Sequence, residues 1–256
     1  MTSTSLRYSR HILLKEFGDH GQKTLASCHI LVVGAGGVGS PAALYLAEAG
    51  VGTLTIIDSD TVDISNLPRQ ILHTQSRIGM NKAESAKKTI AEINPDVHVQ
   101  AVSTWADETT LSPLVEQADI IVDCCDNFKT RHSVNRVAWR FKKSLISASA
   151  VRFSGQLAVF DFHQAQSPCY QCIFPEDDDA DVKAAQTGVF APITGMIGVL
   201  AADQAIKLAL GLPSLAGQLL ILDSLSMQMQ TFAIKADETC SVCSRHAVTA
   251  NAPSTE

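Results

Sequence analysis

No stretch of this 256-residue chain is apolar for long enough to cross a bilayer. The most apolar segment, Ile193 to Leu212, is interrupted by Asp203, Gln204 and Lys207, whereas a spanning helix needs roughly 20 predominantly apolar residues. Met1 to Arg10 lacks the apolar core of a signal peptide. A cytoplasmic protein with no membrane partner is therefore expected. Excess positive charge is missing too. Twenty Lys and Arg against 26 Asp and Glu leave a net charge of −6, which gives no general electrostatic footprint for nucleic acid. No internal repeat is visible. A disulfide framework is a poor explanation for the paired cysteines, because seven is an odd number and the reducing cytoplasm expected here keeps thiols free.

What is present is a chain that is 46% hydrophobic, long enough to bury a full core as one α/β domain. The pattern predicts an amphipathic helix over Arg7 to Phe17 within an N-terminal arm, 1–27. A domain over 28–246 follows, with a nucleotide-binding half, 28–150, and a second half, 151–246. The small polar residues 247–256 read as a flexible tail. His29–Val33, a glycine turn, a helix over Val38–Ala49 closed by Gly50, and Thr53–Ile57 form a βαβ unit with parallel strands. Helices near Asn81–Ile93 and Glu108–Glu116 alternate with strands near His98–Val102 and Asp119–Asp123. A further helix lies around Thr130–Lys142. This is the alternation of a Rossmann-like, doubly wound sheet. Ser144–Ala150, Gly155–Asp161, Gln218–Asp223 and Met227–Ile234 are strand-like with few helices between them, so the second half is expected to be mixed or antiparallel. The acidic stretch Phe174–Gly188 has no apolar periodicity and reads as a mobile loop.

Gly34, Gly36 and Gly39 match G-x-G-x-x-G between a strand and a helix. There the missing side chains let backbone N–H groups and a helix N-terminus approach a phosphate. The bland alternative is a tight strand-to-helix turn with no ligand. Asp58 ends the second strand 24 positions after Gly34, near the spacing of about 20 at which an acid takes ribose hydroxyls. Both ATP and NAD carry a ribose. Arg69 and Lys82 favour a triphosphate, whose charge they could neutralise, although taken singly each also reads as a solvated surface cation. Asp123, Asp126 and Asn127 stand at the end of the fourth strand as D-C-C-D-N. One of them could hold magnesium, or Asp126 or Asn127 could cap the next helix.

Two C-x-x-C pairs, Cys169/Cys172 and Cys240/Cys243, supply the four thiolates of a closed tetrahedral zinc site with a structural role. Neither pair has the strand-to-helix context of a redox motif. Cys28, Cys124 and Cys125 lie beside or within apolar runs and are expected to pack as small hydrophobes.

In order, R-Y-S-R at 7–10, G-A-G-G-V-G at 34–39, D-S-D at 58–60, S-N-L-P-R-Q at 65–70, Lys82, D-C-C-D-N at 123–127, G-Q at 155–156, C-Y-Q-C at 169–172 and C-S-V-C at 240–243 resemble the motifs of the ThiF, MoeB and HesA family of ubiquitin-activating-like adenylating enzymes. The resemblance implies ATP-dependent adenylation of the C-terminal glycine of a ubiquitin-fold sulfur carrier, with pyrophosphate released. By the same resemblance Gly37 and its neighbours Gly34 and Gly36 approach the nucleotide and Asp58 takes the ribose. Asn66, Arg69 and Lys82 face the phosphates, Asp126 binds magnesium, and Asp60, Ser65 and Asn127 complete the nucleotide contacts. Arg10 reaches the ATP site of a second copy, which implies a homodimer. Arg10, Arg69, Lys82 and Asp126 are the implied catalytic set. Ala184 stands where many relatives place a loop cysteine, so sulfur is expected to reach the acyl-adenylate from a separate donor such as a cysteine desulfurase. The stretches at 41–47 and 146–157 resemble the thiamine branch, with the molybdopterin branch as the alternative. From other classes, an NAD-dependent oxidoreductase and a non-catalytic carrier-binding scaffold remain open, distinguished by nicotinamide reduction and by absence of pyrophosphate exchange.

Overall fold

The computed structural model describes residues 6–164, 166–176 and 187–244. Eight strands form one continuous sheet: β1 His29–Val33, β2 Thr53–Ile57, β3 His98–Val102, β4 Ile120–Asp123, β5 Ser144–Val151, β6 Ser154–Phe160, β7 Gln218–Asp223 and β8 Gln228–Ala233. Their spatial order is β3-β2-β1-β4-β5-β6-β7-β8. The first five are mutually parallel, and β6, β7 and β8 add on antiparallel. This is the parallel first half and antiparallel second half expected from the sequence.

The helices are α1 Ser9–Ile12, α2 Gly18–Ser27, α3 Gly39–Ala49, α4 Lys82–Ile93, α5 Glu108–Gln117, α6 Phe128–Arg140 and α7 Ala191–Ala209. Alternate strand residues point to opposite faces. Ile30, Val32, Leu54 and Ile56 pack with Leu46 of α3 and Ile193 and Ile197 of α7. Leu31, Val33, Ile121 and Leu145 pack with Leu111 of α5 and Val134 and Val137 of α6. Side-chain caps set where three helices begin. Asn81 accepts from the Ala83 amide at 2.8 Å, Asp107 from that of Thr110 at 2.8 Å, and Asn127 from that of Thr130 at 2.8 Å, each satisfying an orphan N–H of a first turn.

The arm differs from expectation. A single helix over Arg7 to Phe17 would put Tyr8 and Phe17 nine positions apart, about half a turn out of phase, yet both are buried. The chain breaks after Ile12 to bury both, and a second helix, α2, follows. The apolar stretch from Ile193 forms α7, which lies beside α3. Residues 177–186, Ala184 among them, and the tail from 245 onward lie outside the described residues.

At the junction between β1 and α3 the chain folds back on itself. Gly34 has φ +91°, and a Cβ on Gly39 would stand 1.8 Å from the Gly34 carbonyl oxygen. No side chain fits there, so the Gly39→Ala variant is expected to lose at least about 3 kcal/mol, beyond the usual cost of overpacking. Urea unfolding checks this, and an unchanged midpoint would contradict the geometry.

Candidate active site and cysteine cluster

β1 and β4 are neighbours although their connections run to opposite sides, so the carboxyl ends of these two strands flank the crevice where open α/β sheets bind ligands. The glycine loop and the D-C-C-D-N turn meet there: a Cβ on Gly34 would lie 3.0 Å from the Cys124 carbonyl oxygen. Asp58, at the end of β2, accepts from the Ala35 amide at 2.7 Å and from the Asp60 amide at 2.8 Å. Burial raises its carboxyl pKa, against the opposing pull of Lys82 and these amides. The acid is therefore fastened to the glycine loop.

Lys82 is buried, not the solvated cation that one reading of the sequence allowed. Its Nζ pairs with Asp60 Oδ2 at 2.8 Å. As the first residue of α4 it sits at the positive end of the helix dipole, where a cation is disfavoured and an anion is welcome. Arg69 lies over the loop, its Cγ 3.3 Å from where a Gly37 Cβ would stand. The Arg69 guanidinium donates to the Ser65 carbonyl at 3.1 Å, and its backbone amide donates to the Asn66 carbonyl at 3.1 Å. Ser65 donates through its hydroxyl to Asp63 at 2.6 Å. Thr194 at the start of α7 approaches Gly37 as closely as Arg69 does, and Arg69, Ile71, Pro192 and Thr194 border a cleft of about 260 Å³.

The D-C-C-D-N turn sorts its acids. Asp123, one of the sequence candidates for magnesium, is removed from that role: it is 1% exposed and pairs with Arg131 at 3.0 Å. Asn127 is the helix cap. That leaves Asp126, which is exposed, as the carboxylate that could meet a cation. Cys28 and Cys124 are core residues as expected, and burial, helped by Asp119, pushes the Cys28 thiol up to about 12. Cys125 differs in being half-buried, and it donates its thiol to Asp123 Oδ1 at 2.8 Å instead of packing as a hydrophobe.

Arg10 is not brought to this site within one chain. Its neighbour Tyr8 is buried against Gly50 and accepts from Asn94 at 2.8 Å. Gly50 and Asn94 close α3 and α4 at their far ends, about 16 Å along α3 from the glycine loop.

Sequence reasoning missed His73. It is buried, donating from Nε2 to the Ala35 carbonyl at 2.9 Å and accepting at Nδ1 from Ser85 at 3.0 Å, the tautomer being assigned from its partners. No motif spacing marks it. Only its position between the loop and α4 does.

The four paired cysteines converge. Their sulfurs lie within 4.8 Å of one another, with Cys169–Cys240 at 3.6 Å, Cys172–Cys243 at 3.3 Å and Cys169–Cys172 at 4.0 Å. Four thiolates about 2.3 Å from one ion in a tetrahedron would be about 3.8 Å apart, so the donor set fits a soft divalent metal. Hydrogen bonds from the Cys169 thiol and then from Cys243 pull the Cys172 thiol far down, and the Asp237 amide assists. Asn135 of α6 accepts from the Tyr170 amide at 2.9 Å, bracing the segment between Cys169 and Cys172.

The chain is similar over most of its length to known proteins. Residues 8–242 match the profile described as the ThiF family. The chain is 40% identical over 238 residues to the sulfur carrier protein ThiS adenylyltransferase of Escherichia coli, covering 93% of this chain and 94% of that protein. It is 37% identical to the molybdopterin-synthase adenylyltransferase of the same organism, covering 93% and 96%. It is also 41% identical to the adenylyltransferase and sulfurtransferase MOCS3 of Drosophila grimshawi, spanning 93% of this chain but only 54% of that protein. Among solved structures, E. coli MccB with ATP superposes with TM-score 0.81 at 25% identity, covering 93% of this chain and 73% of that one.

Two outcomes are expected. Burial lowers the pKa of His73 below 6.5, so the unfolded chain takes the proton first and stability falls as pH drops below about 6.5. His73→Gln is expected to flatten the slope of melting temperature between pH 7.5 and 5.5, and an identical slope would contradict it. Cys172→Ser is expected to release bound metal and lower stability, since metal binding to such a site is coupled to folding. Unchanged metal content by elemental analysis would defeat the four-cysteine assignment.

Proposed function

Since the chain belongs to the ThiF family, we propose that it adenylates the C-terminal glycine of a ubiquitin-fold sulfur carrier of the thiamine type, ThiS-like, with a molybdopterin-type carrier, MoaD-like, as the second reading. The observation that carries the proposal is the convergence of Asp58, Lys82 and Arg69 on the glycine loop at the carboxyl edge of the sheet. Relatives named as adenylyltransferases on both branches match nearly the full length of this chain. The thiamine assignment rests further on the stretches at 41–47 and 146–157.

A carrier C-terminus is already a carboxylate at neutral pH, so no general base is required. One carboxylate oxygen attacks the α-phosphorus of ATP, a phosphoanhydride bond breaks, and pyrophosphate leaves. The chain's task is alignment and charge. The glycine loop and the N-terminus of α3 present N–H groups to phosphate, joined by Ser65 and Asn66, whose carbonyls accept from Arg69. Asp58 takes the ribose beside Asp60, and Arg69 and Lys82 stabilise the charge that accumulates on the leaving group. In this reading ATP displaces Asp60 as the partner of Lys82. Asp126, with Asn127 beside it, is the carboxylate that would hold magnesium. That ion would neutralise phosphate charge.

Arg10 lies far from its own chain's loop and on this reading completes the site of a second copy in a homodimer. The four cysteines would hold zinc in a closed structural centre, with no position left for substrate. With Ala184 where a loop cysteine would stand, sulfur would come to the acyl-adenylate from a separate donor such as a cysteine desulfurase. No helix among the described residues is long and apolar enough to cross a membrane, and a reducing cytoplasm would keep the thiols available.

Lys82→Ala and Asp126→Ala are each expected to cut carrier-dependent ATP–pyrophosphate exchange by on the order of 100-fold or more while leaving far-UV circular dichroism and oligomeric state unchanged. Exchange at the unsubstituted rate in either folded variant would remove that residue from the site.

A further inference from the structure

The buried guanidinium of Arg131 has no part in the sequence motifs assigned above, yet it donates to four acceptors around the D-C-C-D-N turn. Arg131 lies one turn into α6 and is 6% exposed. One nitrogen donates to Asp123 Oδ2 at 3.0 Å and to the Ser147 hydroxyl at 2.8 Å. The other donates to the Ala148 carbonyl at 3.0 Å and to the Cys125 carbonyl. Asp123 in turn accepts from Ser147 at 3.0 Å, and through its other oxygen from the amide and thiol of Cys125 at 3.1 and 2.8 Å. The side chain thus joins the end of β4, the middle of β5 and the turn that carries Asp126, and with Asp123 it holds both the amide and the carbonyl of Cys125.

The constraint on Asp126 is specific. The preceding residue has its amide fixed by Asp123 and its carbonyl by Arg131, and the following residue, Asn127, is fixed as the cap of α6. Asp126 is the exposed residue between two pinned ones. Lysine could retain the charge opposite Asp123, but not a planar fork reaching several acceptors at once.

We propose that Arg131 is a positioning residue for the nucleotide–metal site: by clamping Cys125 it sets where the Asp126 carboxylate stands, and so controls the gain in ATP affinity that magnesium confers. The inference rests on Asp126 being the magnesium-facing carboxylate. A buried ion pair with a purely structural role would be needed for folding alone.

Calorimetric titration of ATP into the intact protein, in excess Mg²⁺ and again in EDTA, separates these roles. Arg131→Lys is expected to lose about tenfold of the Mg²⁺-dependent gain, in line with the loss typical of residues that orient a metal ligand, while EDTA affinity and circular dichroism stay as in the unsubstituted protein. Asp126→Ala is expected to abolish the gain. Adding Arg131→Lys to it should then cost nothing more, because the two act through one carboxylate. Should Arg131→Lys fail to fold, Asp123→Asn with Arg131→Met removes both buried charges together and is expected to show the same selective loss. A folded variant with an undiminished Mg²⁺ gain overturns the inference, as does equal loss in Mg²⁺ and EDTA. An Asp126→Ala protein that keeps the gain overturns the underlying assignment of Asp126 and the inference with it, a result told apart by that single variant.

Discussion

The absence of a side chain at Gly39, where a Cβ would meet the Gly34 carbonyl at 1.8 Å, lets the first turn of α3 sit directly against the end of β1. The other contacts of the site are arranged around that approach. With the helix drawn in, Ala35 presents its amide to Asp58 and its carbonyl to His73, so the acid after β2 and the helix after the 61–80 segment register on the same loop. Gly34 in turn leaves room for the Cys124 carbonyl, which seats the β4 turn alongside. The glycine loop is first of all a packing solution, and its tightness fixes the neighbours around it.

Charge is distributed unevenly across this frame. Among the described residues Lys82 stands beside Asp60 and acts on the carboxyl of Asp58, where it opposes the effect of burial. Lys82 shows how charge is balanced: a buried ammonium at a helix N-terminus, held by one carboxylate that is itself largely exposed. Release of that carboxylate would cost little structurally, because Asp60 already faces solvent. The cysteine centre stands apart from this chemistry, joining the segment after β6 to the segment after β8. It adjoins the second core, in which Cys169 and Cys240 are buried beside residues of α6.

Much of this was legible in the sequence because it depends on local spacing. The parallel half followed from strand–helix alternation, the glycine loop from its motif, and the cysteine cluster from paired spacing, although the pairs lie 71 residues apart. What escaped depends on which side chain wins a long-range contact. Tyr8 and Phe17 each found a burial site, and that broke a helix that the local pattern favoured. Asp123 and Asp126 are the same residue type three positions apart, but only the structure shows Arg131 claiming the first. Lys82 is marked by its motif yet taken alone also reads as a surface lysine, and only the structure shows it buried beside Asp60. Arg10 carries a recognisable motif, yet its distance from its own glycine loop could be read only from the packing of Tyr8 against the far ends of α3 and α4.

The most direct test of carrier adenylation is ATP–pyrophosphate exchange by the purified protein, with a thiamine-type carrier and a molybdopterin-type carrier, both ending in Gly-Gly, assayed side by side. Exchange that requires the thiamine-type carrier and is lost when its terminal glycine is removed is the expected result. Exchange with neither carrier would contradict the central claim.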